Sequence, residues 1–246
     1  MDIEKFWDTL TRRVISAKKS DKSPLMIFDL DGTLVEHHYR IYNVFVELTR
    51  ELNFPEDARS LIFDSNPEEY GYHPRETLEN IGLNEELIEK MLAPWLKYFL
   101  SSKFLHYDHP MKGAYYFVRN ILSLGVKVVY LTGRDVPNMG EGTRAWLEKF
   151  NFLDNSGLTE LNMKKDLSIS NAESKRLACE EINASGQAVL VVENEPKELE
   201  FMLGVFPKSI GVLIDSPNSG LPARLPSDIF RIKQFNELNS LYNRLI

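Results

Sequence analysis

Three short stretches of this sequence place acids, a hydroxyl and glycines where apolar runs end. Asp29-Leu30-Asp31-Gly32-Thr33 follows Leu25-Met26-Ile27-Phe28. In an extended chain, residues two apart point to the same side, so Asp29 and Asp31 share a face if the strand continues. Two adjacent carboxylates are costly unless a cation, a shared proton or several donors compensate them. An Asp-Gly turn accounts for Asp31-Gly32 as ordinary loop chemistry. It does not account for an acid at Asp29 closing a strand-like apolar run.

Thr132-Gly133-Arg134 follows Val126-Lys127-Val128-Val129-Tyr130-Leu131. A hydroxyl at a strand end can donate to a phosphate oxygen, and a glycine lets the backbone come close. The same tripeptide is also common turn chemistry. Glu193-Asn194-Glu195-Pro196 follows Ala188-Val189-Leu190-Val191-Val192. An acid there adds a third carboxylate at one rim, a set suited to a hard cation such as Mg²⁺. Acids at a helix start have a simpler use as well, because the helix dipole favours them.

The elements that must position these residues follow from hydrophobic spacing. Leu25–Phe28 is short and wholly apolar, the pattern of a buried parallel strand. Before it, Ile3, Phe6, Trp7, Leu10 and Val14 recur at helical intervals, which predicts a docked amphipathic helix within residues 1–20. Its Arg12, Arg13, Lys18 and Lys19 are expected to be solvated. Between about 39 and 109 the pattern is helices separated by breakers. Ile41, Phe45, Leu48 and Leu52 form one stripe, ended by Asn53 and Pro55. Asn84 is a predicted cap for a helix through Leu87, Met91 and Leu92, with Pro94 as a kink or boundary.

After Pro110 the pattern alternates. Helices are predicted near 113–124, 143–150 and 173–182, and from Asn236. Strands are predicted near 126–131, 158–163, 188–192, 210–214 and 230–232. The order gives an α/β fold, a Rossmann-like parallel sheet with helices on both faces, from residues 1–34 and 110–246. Residues 35–109 are expected as a helical insertion after the first strand. Ligands of open α/β sheets gather outside the carboxyl ends of the strands, where the three stretches fall.

Composition narrows the function classes. The 246 residues carry a net charge of −7. Residues 35–110 hold 14 acids and 7 bases, so the imbalance lies entirely there. A basic nucleic-acid footprint is therefore not expected. All five histidines (His37, His38, His73, His106 and His109) fall in that stretch without a metal-ligand spacing, and are expected to be solvated or hydrogen-bonded. Hydrophobic content of 43% and charged content of 26% fit a folded globular chain. Cys179 is the single cysteine, which excludes an intrachain disulfide and fits a reducing compartment. No apolar run approaches the ~18–20 residues of a membrane span, and MDIEKFWDTLTRR lacks the core of a secretory signal. The expectation is a cytoplasmic protein without membrane or nucleic-acid partners. Its oligomeric state is left open.

The three stretches together resemble the haloacid dehalogenase superfamily, specifically its phosphatases. Asp29-Leu30-Asp31-Gly32-Thr33 is similar to the first motif, Asp-x-Asp-x-Thr after a buried strand. Thr132 matches the second motif, and Glu193 stands at the acidic fourth. The third motif is a lone lysine. Lys175, opening the helix before the fourth-motif strand, is preferred, with Lys164 and Lys165 as alternatives. The resemblance covers about residues 24–35 and 110–235. The helical insertion falls where the family carries a type-1 cap.

What the resemblance implies is hydrolysis of a small metabolite's phosphate monoester through an aspartyl-phosphate. Asp29 is then the nucleophile and Asp31 the acid and base, while Thr132, Gly133 and Lys175 bind phosphate. Mg²⁺ is held by the Asp29 carboxylate, the Asp31 carbonyl and Glu193. Many relatives carry aspartate where this chain has the longer Glu193, and Glu195 is a substitute or supporting ligand. A mutase or other phosphotransferase is a second possibility. A phospholigand-binding or protein-interaction module of weak catalytic power is a third. Arg134 and Asp135 are expected in a salt bridge at the rim, and Tyr70, Tyr72, Trp95, Tyr98 and Phe99 as core of the insertion.

Overall fold

The computed structural model describes residues 3–153 and 156–239. α1 (Ile3–Lys19) buries Phe6, Trp7, Leu10, Val14 and Ala17, the stripe its sequence spacing dictates. β1 (Pro24–Phe28) is buried at every position. The chain then turns tightly, with the amides of Thr33, Leu34 and Val35 all donating to the Leu30 carbonyl. β2 (Val35–Glu36) leaves the turn and pairs antiparallel with β3 (His109–Pro110), closing the base of the segment between them.

That segment is helical: α2 (His38–Glu51), α3 (Glu56–Phe63), α4 (Pro74–Ile81) and α5 (Glu85–Phe99), followed by a 3-10 stretch over Ser102–Tyr107. Ile41, Phe45, Leu48, Leu78, Ile88 and Met91 meet in a cluster of its own. The Asn84 side chain caps α5 by accepting from the Leu87 amide at 3.0 Å. Pro94 lies inside α5 and does not end it. Its ring removes one helical hydrogen bond, but Trp95 and Phe99 beyond it still pack against the cluster.

The remainder alternates: α6 (Ala114–Ser123), β4 (Lys127–Asp135), α7 (Val136–Lys149), β5 (Thr159–Lys164), α8 (Asn171–Ser185), β6 (Gln187–Glu193), α9 (Pro196–Val205), β7 (Ile210–Ile214), β8 (Phe230–Ile232) and α10 (Asn236–Asn239). The helix expected from Asn236 otherwise falls outside the described residues. Two boundaries differ from expectation. β4 continues through Thr132-Gly133-Arg134 to Asp135, whereas periodicity ended it at Leu131. α7 starts at Val136 and not near 143. Asp135 caps it, accepting from the Asn138 amide at 2.9 Å. Pro137, Gly140 and Gly142 dilute the apolar pattern of that first half and hide it from a periodicity reading.

β1, β4, β5, β6, β7 and β8 form one parallel sheet in the order β5-β4-β1-β6-β7-β8. Alternation sorts its side chains. Met26, Phe28, Val128 and Tyr130 face α1 and α6. Leu25, Ile27, Val129, Leu131 and Val191 face α8 and α9, through Cys179, Ile182, Leu199 and Met202. The strand order reverses at β1, where ligands of doubly wound sheets bind.

Candidate active site

The same alternation brings the first polar group out of the core. The Asp29 amide continues the ladder by donating to the Val192 carbonyl at 3.0 Å. Two residues beyond Ile27, Asp29 therefore falls on the α8 side of the sheet. Phe28 is in register with Val192, so Glu193 emerges beside Asp29, two residues beyond Val191.

α8 delivers the counter-charge. Ser170 caps it by accepting from the Glu173 amide at 3.1 Å. Asn171 and Lys175, four apart, share the face toward the sheet. A methyl at Gly133 would lie 2.9 Å from the Asn171 side chain, so the glycine leaves room for that side chain against β4. Lys175 Nζ donates to Asp29 Oδ1 at 3.1 Å and to Glu193 Oε2 at 2.8 Å. Glu193 Oε1 accepts from the amides of Asn194 and Glu195, each at 3.1 Å.

One lysine does not balance two buried carboxylates. Burial and the facing Glu193 push Asp29 up to about 7, against the pull of Lys175. Burial also raises Glu193. Lys175 is raised as well, because Asp29 and Glu193 outweigh its own burial and hold it protonated. The donor set has the composition a small hard cation accepts: two carboxylates, with water and substrate completing the shell. Among the described residues no backbone amide donates to the Asp31 carbonyl, which leaves it available as a further oxygen. No group of three or more His, Cys, Asp or Glu side chains placed to hold a metal occurs among the described residues.

Asp31 is held differently. Arg134 Nε donates to Asp31 Oδ2 and Arg134 Nη2 to Asp31 Oδ1, both at 2.7 Å. Arg40, from α2, also pairs with Asp31 Oδ1. Asp108, just before β3, closes the set at 2.8 Å from Arg134 Nη2 and 3.0 Å from Arg40 Nε. Burial opposes ionisation of Asp31, but the guanidiniums of Arg134 and Arg40 overcome it and hold the carboxyl well below its usual range. Asp108 lacks that surplus, and burial pushes it up to about 6. Arg134 forms salt bridges as expected, but buried, at 2% exposure, with Asp31 and Asp108 and not at the rim, whereas Asp135 caps α7.

These groups open into a cavity of about 530 Å³ between the strand ends and the helical segment. Asp29, Asp31, Thr132, Gly133, Lys175 and Glu193 all line it. Lys164 lines it too, tied to Asn171 Oδ1 at 2.9 Å, while Lys165 is exposed and outside it. Glu195 reaches the wall but is engaged by the amide and hydroxyl of Ser219 at 2.7 and 2.6 Å. His37 also lines the cavity. Burial, with Arg40 adding to it, pushes the imidazole down to about 4, so it is neutral near pH 7.

The model of the haloacid dehalogenase-like hydrolases matches residues 24–203, more than half the chain. The chain belongs to this family. Its fold is similar to a haloacid dehalogenase-like hydrolase from Streptococcus pneumoniae, at 16% identity and a TM-score of 0.51, over 89% of this chain and 98% of that one. A predicted phosphatase from Clostridium acetobutylicum gives 14% identity and a TM-score of 0.53, over 91% and 99%. A haloacid dehalogenase superfamily hydrolase from Ehrlichia chaffeensis gives 12% and 0.52, over 91% and 97%. Comparison with curated protein sequences gives no match. These likenesses extend over most of each chain and are likenesses of fold, which in this chain is a six-stranded parallel sheet with helices around it.

Within that frame, Arg40 and Asp108 were invisible to sequence reasoning. They lie 68 positions apart, near the two ends of the helical segment, and meet directly, Arg40 Nε 3.0 Å from Asp108 Oδ1, beside Arg134 and Asp31. The one sequence signal is an arginine abutting the apolar stripe at Ile41. The aromatics also divide. Tyr70 is buried in the segment's core, as expected, whereas Tyr72, Trp95 and Phe99 line the cavity. Periodicity identifies a helix face but not whether that face looks into a core or a cleft.

Proposed function

We propose that this haloacid dehalogenase-like hydrolase cleaves phosphate monoesters of small metabolites by transferring the phosphoryl group to Asp29. The observation that carries it is Asp29 itself, a buried carboxylate at the floor of the cavity with Lys175 Nζ at 3.1 Å. An oxygen nucleophile next to a fixed ammonium, at the end of the central strand, suits attack on phosphorus. Lys175, the Thr132 hydroxyl and the Gly133 backbone would receive the phosphate oxygens, with residues 35–109 acting as the cap.

Mg²⁺, held by the Asp29 carboxylate, the Asp31 carbonyl and Glu193, would supply the positive charge that a dianion needs beside these carboxylates. Asp31 would pass a proton to the leaving oxygen and later take one from water. Its ionised form, favoured by Arg134 and Arg40, is the one that activates water. Protonating the leaving group first requires that grip to loosen.

The test is phosphate release from an aryl phosphate with and without Mg²⁺, alongside Asp29→Asn. We expect Mg²⁺-dependent turnover that falls at least ~10³-fold in the variant. Undiminished turnover in Asp29→Asn, or full turnover in a chelator, refutes the reading. The arginine grip on Asp31 favours a second reading, a phospholigand-binding module of weak catalytic power. Thermal stabilisation by phosphate esters without turnover of any of them would select it over the first. Products carrying phosphate on a second hydroxyl would instead identify a mutase.

A further inference from the structure

The cap side of the cavity carries chemistry that phosphate binding does not use. Trp95 and Phe99 stack there, with centroids 4.7 Å apart and planes at 15°, and His37 meets the edge of Phe99 at 5.9 Å. Trp95 Nε1 and His37 Nδ1 are both buried and lack a hydrogen-bond partner among the described residues. An orphaned donor in a protein wall costs free energy unless something supplies an acceptor. At the mouth, Tyr72, Leu96 and Leu221 line the same cavity while 46%, 57% and 58% exposed. The floor is charged, but the wall and mouth are aromatic and apolar.

We propose that the leaving group of the ester seats against the Trp95–Phe99 stack, which selects groups bearing a planar aromatic ring with hydrogen-bonding edge atoms. The indole N–H donates to a ring or exocyclic acceptor, and His37 Nδ1 takes a second edge position. The base of a nucleoside monophosphate has this chemistry, and a cavity of about 530 Å³ lies in the range that holds such ligands. The inference rests on Asp29 being the phosphoryl acceptor, which places the phosphate at the floor and the leaving group at the wall.

Adenosine 5′-monophosphate and ribose 5-phosphate share the same leaving oxygen and differ by the base, so their kcat/KM ratio isolates the wall. In the wild type the nucleotide should be preferred by about tenfold or more. The ratio should fall roughly five- to a hundredfold in Trp95→Leu, the range for removing an aromatic platform under a base. Trp95→Phe, which keeps a ring and loses the N–H, should give a smaller fall and guards against misfolding of the leucine variant. No preference for the nucleotide, or a ratio unmoved by both substitutions, overturns the proposal while leaving the phosphatase reading intact.

If neither ester is turned over, binding decides the wall, and if the aryl phosphate is not turned over either, the phosphatase reading fails. Trp7 and Trp146 are buried in the sheet core, so fluorescence quenching by the nucleotide should report Trp95. Quenching by the nucleotide alone, lost in Trp95→Phe, supports the wall. Equal quenching by ribose 5-phosphate, or none, overturns it.

Discussion

Arg134 holds Asp31 with two parallel hydrogen bonds, Nε to Oδ2 and Nη2 to Oδ1, each 2.7 Å long. The guanidinium fork fits a carboxylate edge to edge, and this one is almost wholly removed from water. It also ties the loop after β1 to Asp108 at the base of the helical segment.

Truncating Arg134 should therefore be among the costliest single changes. Arg134→Leu leaves Asp108 buried with Arg40 alone and should lose about 3–5 kcal/mol of folding stability. Asp108→Asn should cost less than half as much near pH 6, because burial already favours the neutral form of that carboxyl. Urea unfolding of the two variants at pH 6 makes the comparison. Equal losses would show that the charges are not the reason for the arrangement.

Lys175→Met should lower kcat on a phosphate monoester by roughly 10²–10³-fold, by removing the fixed charge beside the nucleophile. It should also change the pH response of the fold. Without the ammonium, the folded-state pKa values of Asp29 and Glu193 rise further above their unfolded values. Groups with raised pKa values favour the fold when protonated, and that contribution is lost as pH rises through the folded pKa. The variant should lose stability relative to the wild type between pH 6 and pH 8. A constant gap over that interval contradicts the charge balance described for the site.

His37 sets an acid-side limit. Its folded pKa of about 4 lies below the ordinary 6.5, with burial, Arg40 and Arg134 pushing down, His38 adding to them and Asp31 opposing. A depressed pKa means the unfolded chain binds the proton first, so stability is present above 6.5 and lost as pH falls toward 4. At pH 5 the loss from this one group is about 2 kcal/mol. Denaturant unfolding at pH 7 and pH 5 should show the wild type losing that much more than His37→Phe.

Gly32 occupies φ +80, and a methyl there would sit 2.3 Å from Asn194 Nδ2. Gly32→Ala should cost at least about 2 kcal/mol through the left-handed backbone and the clash together. Adding Asn194→Ala removes the clash but not the backbone term, so the double variant should recover only part. Full recovery would mean the backbone conformation is not strained for alanine.

What the sequence determined by itself was local. Unbroken apolar runs marked β1, β4 and β6 as buried strands, and period-3.6 spacing marked the buried face of α1, because a strand covered on both faces and a helix covered on one each leave their own pattern. The same runs also placed Asp29 and Glu193 at strand ends, since a polar residue closing an apolar run marks where the core stops, whereas Thr132, read the same way, lies inside β4, which runs on to Asp135. Lys175 was preferred among three lysines only through the family resemblance, since spacing alone does not rank them.

Tertiary structure decided everything that depends on contacts between distant segments. Arg40, Asp108 and Arg134 become one network with Asp31 because the helical segment folds back over the strand ends. Nothing local to any of the four records that. The same folding leaves Trp95 and Phe99 of α5 at the boundary between the segment's core and the cavity, so they line the site while Tyr70 does not. Burial then sets the charge states, holding Asp31 ionised and raising Asp29, because desolvation and pairing are properties of the assembled site and not of any residue.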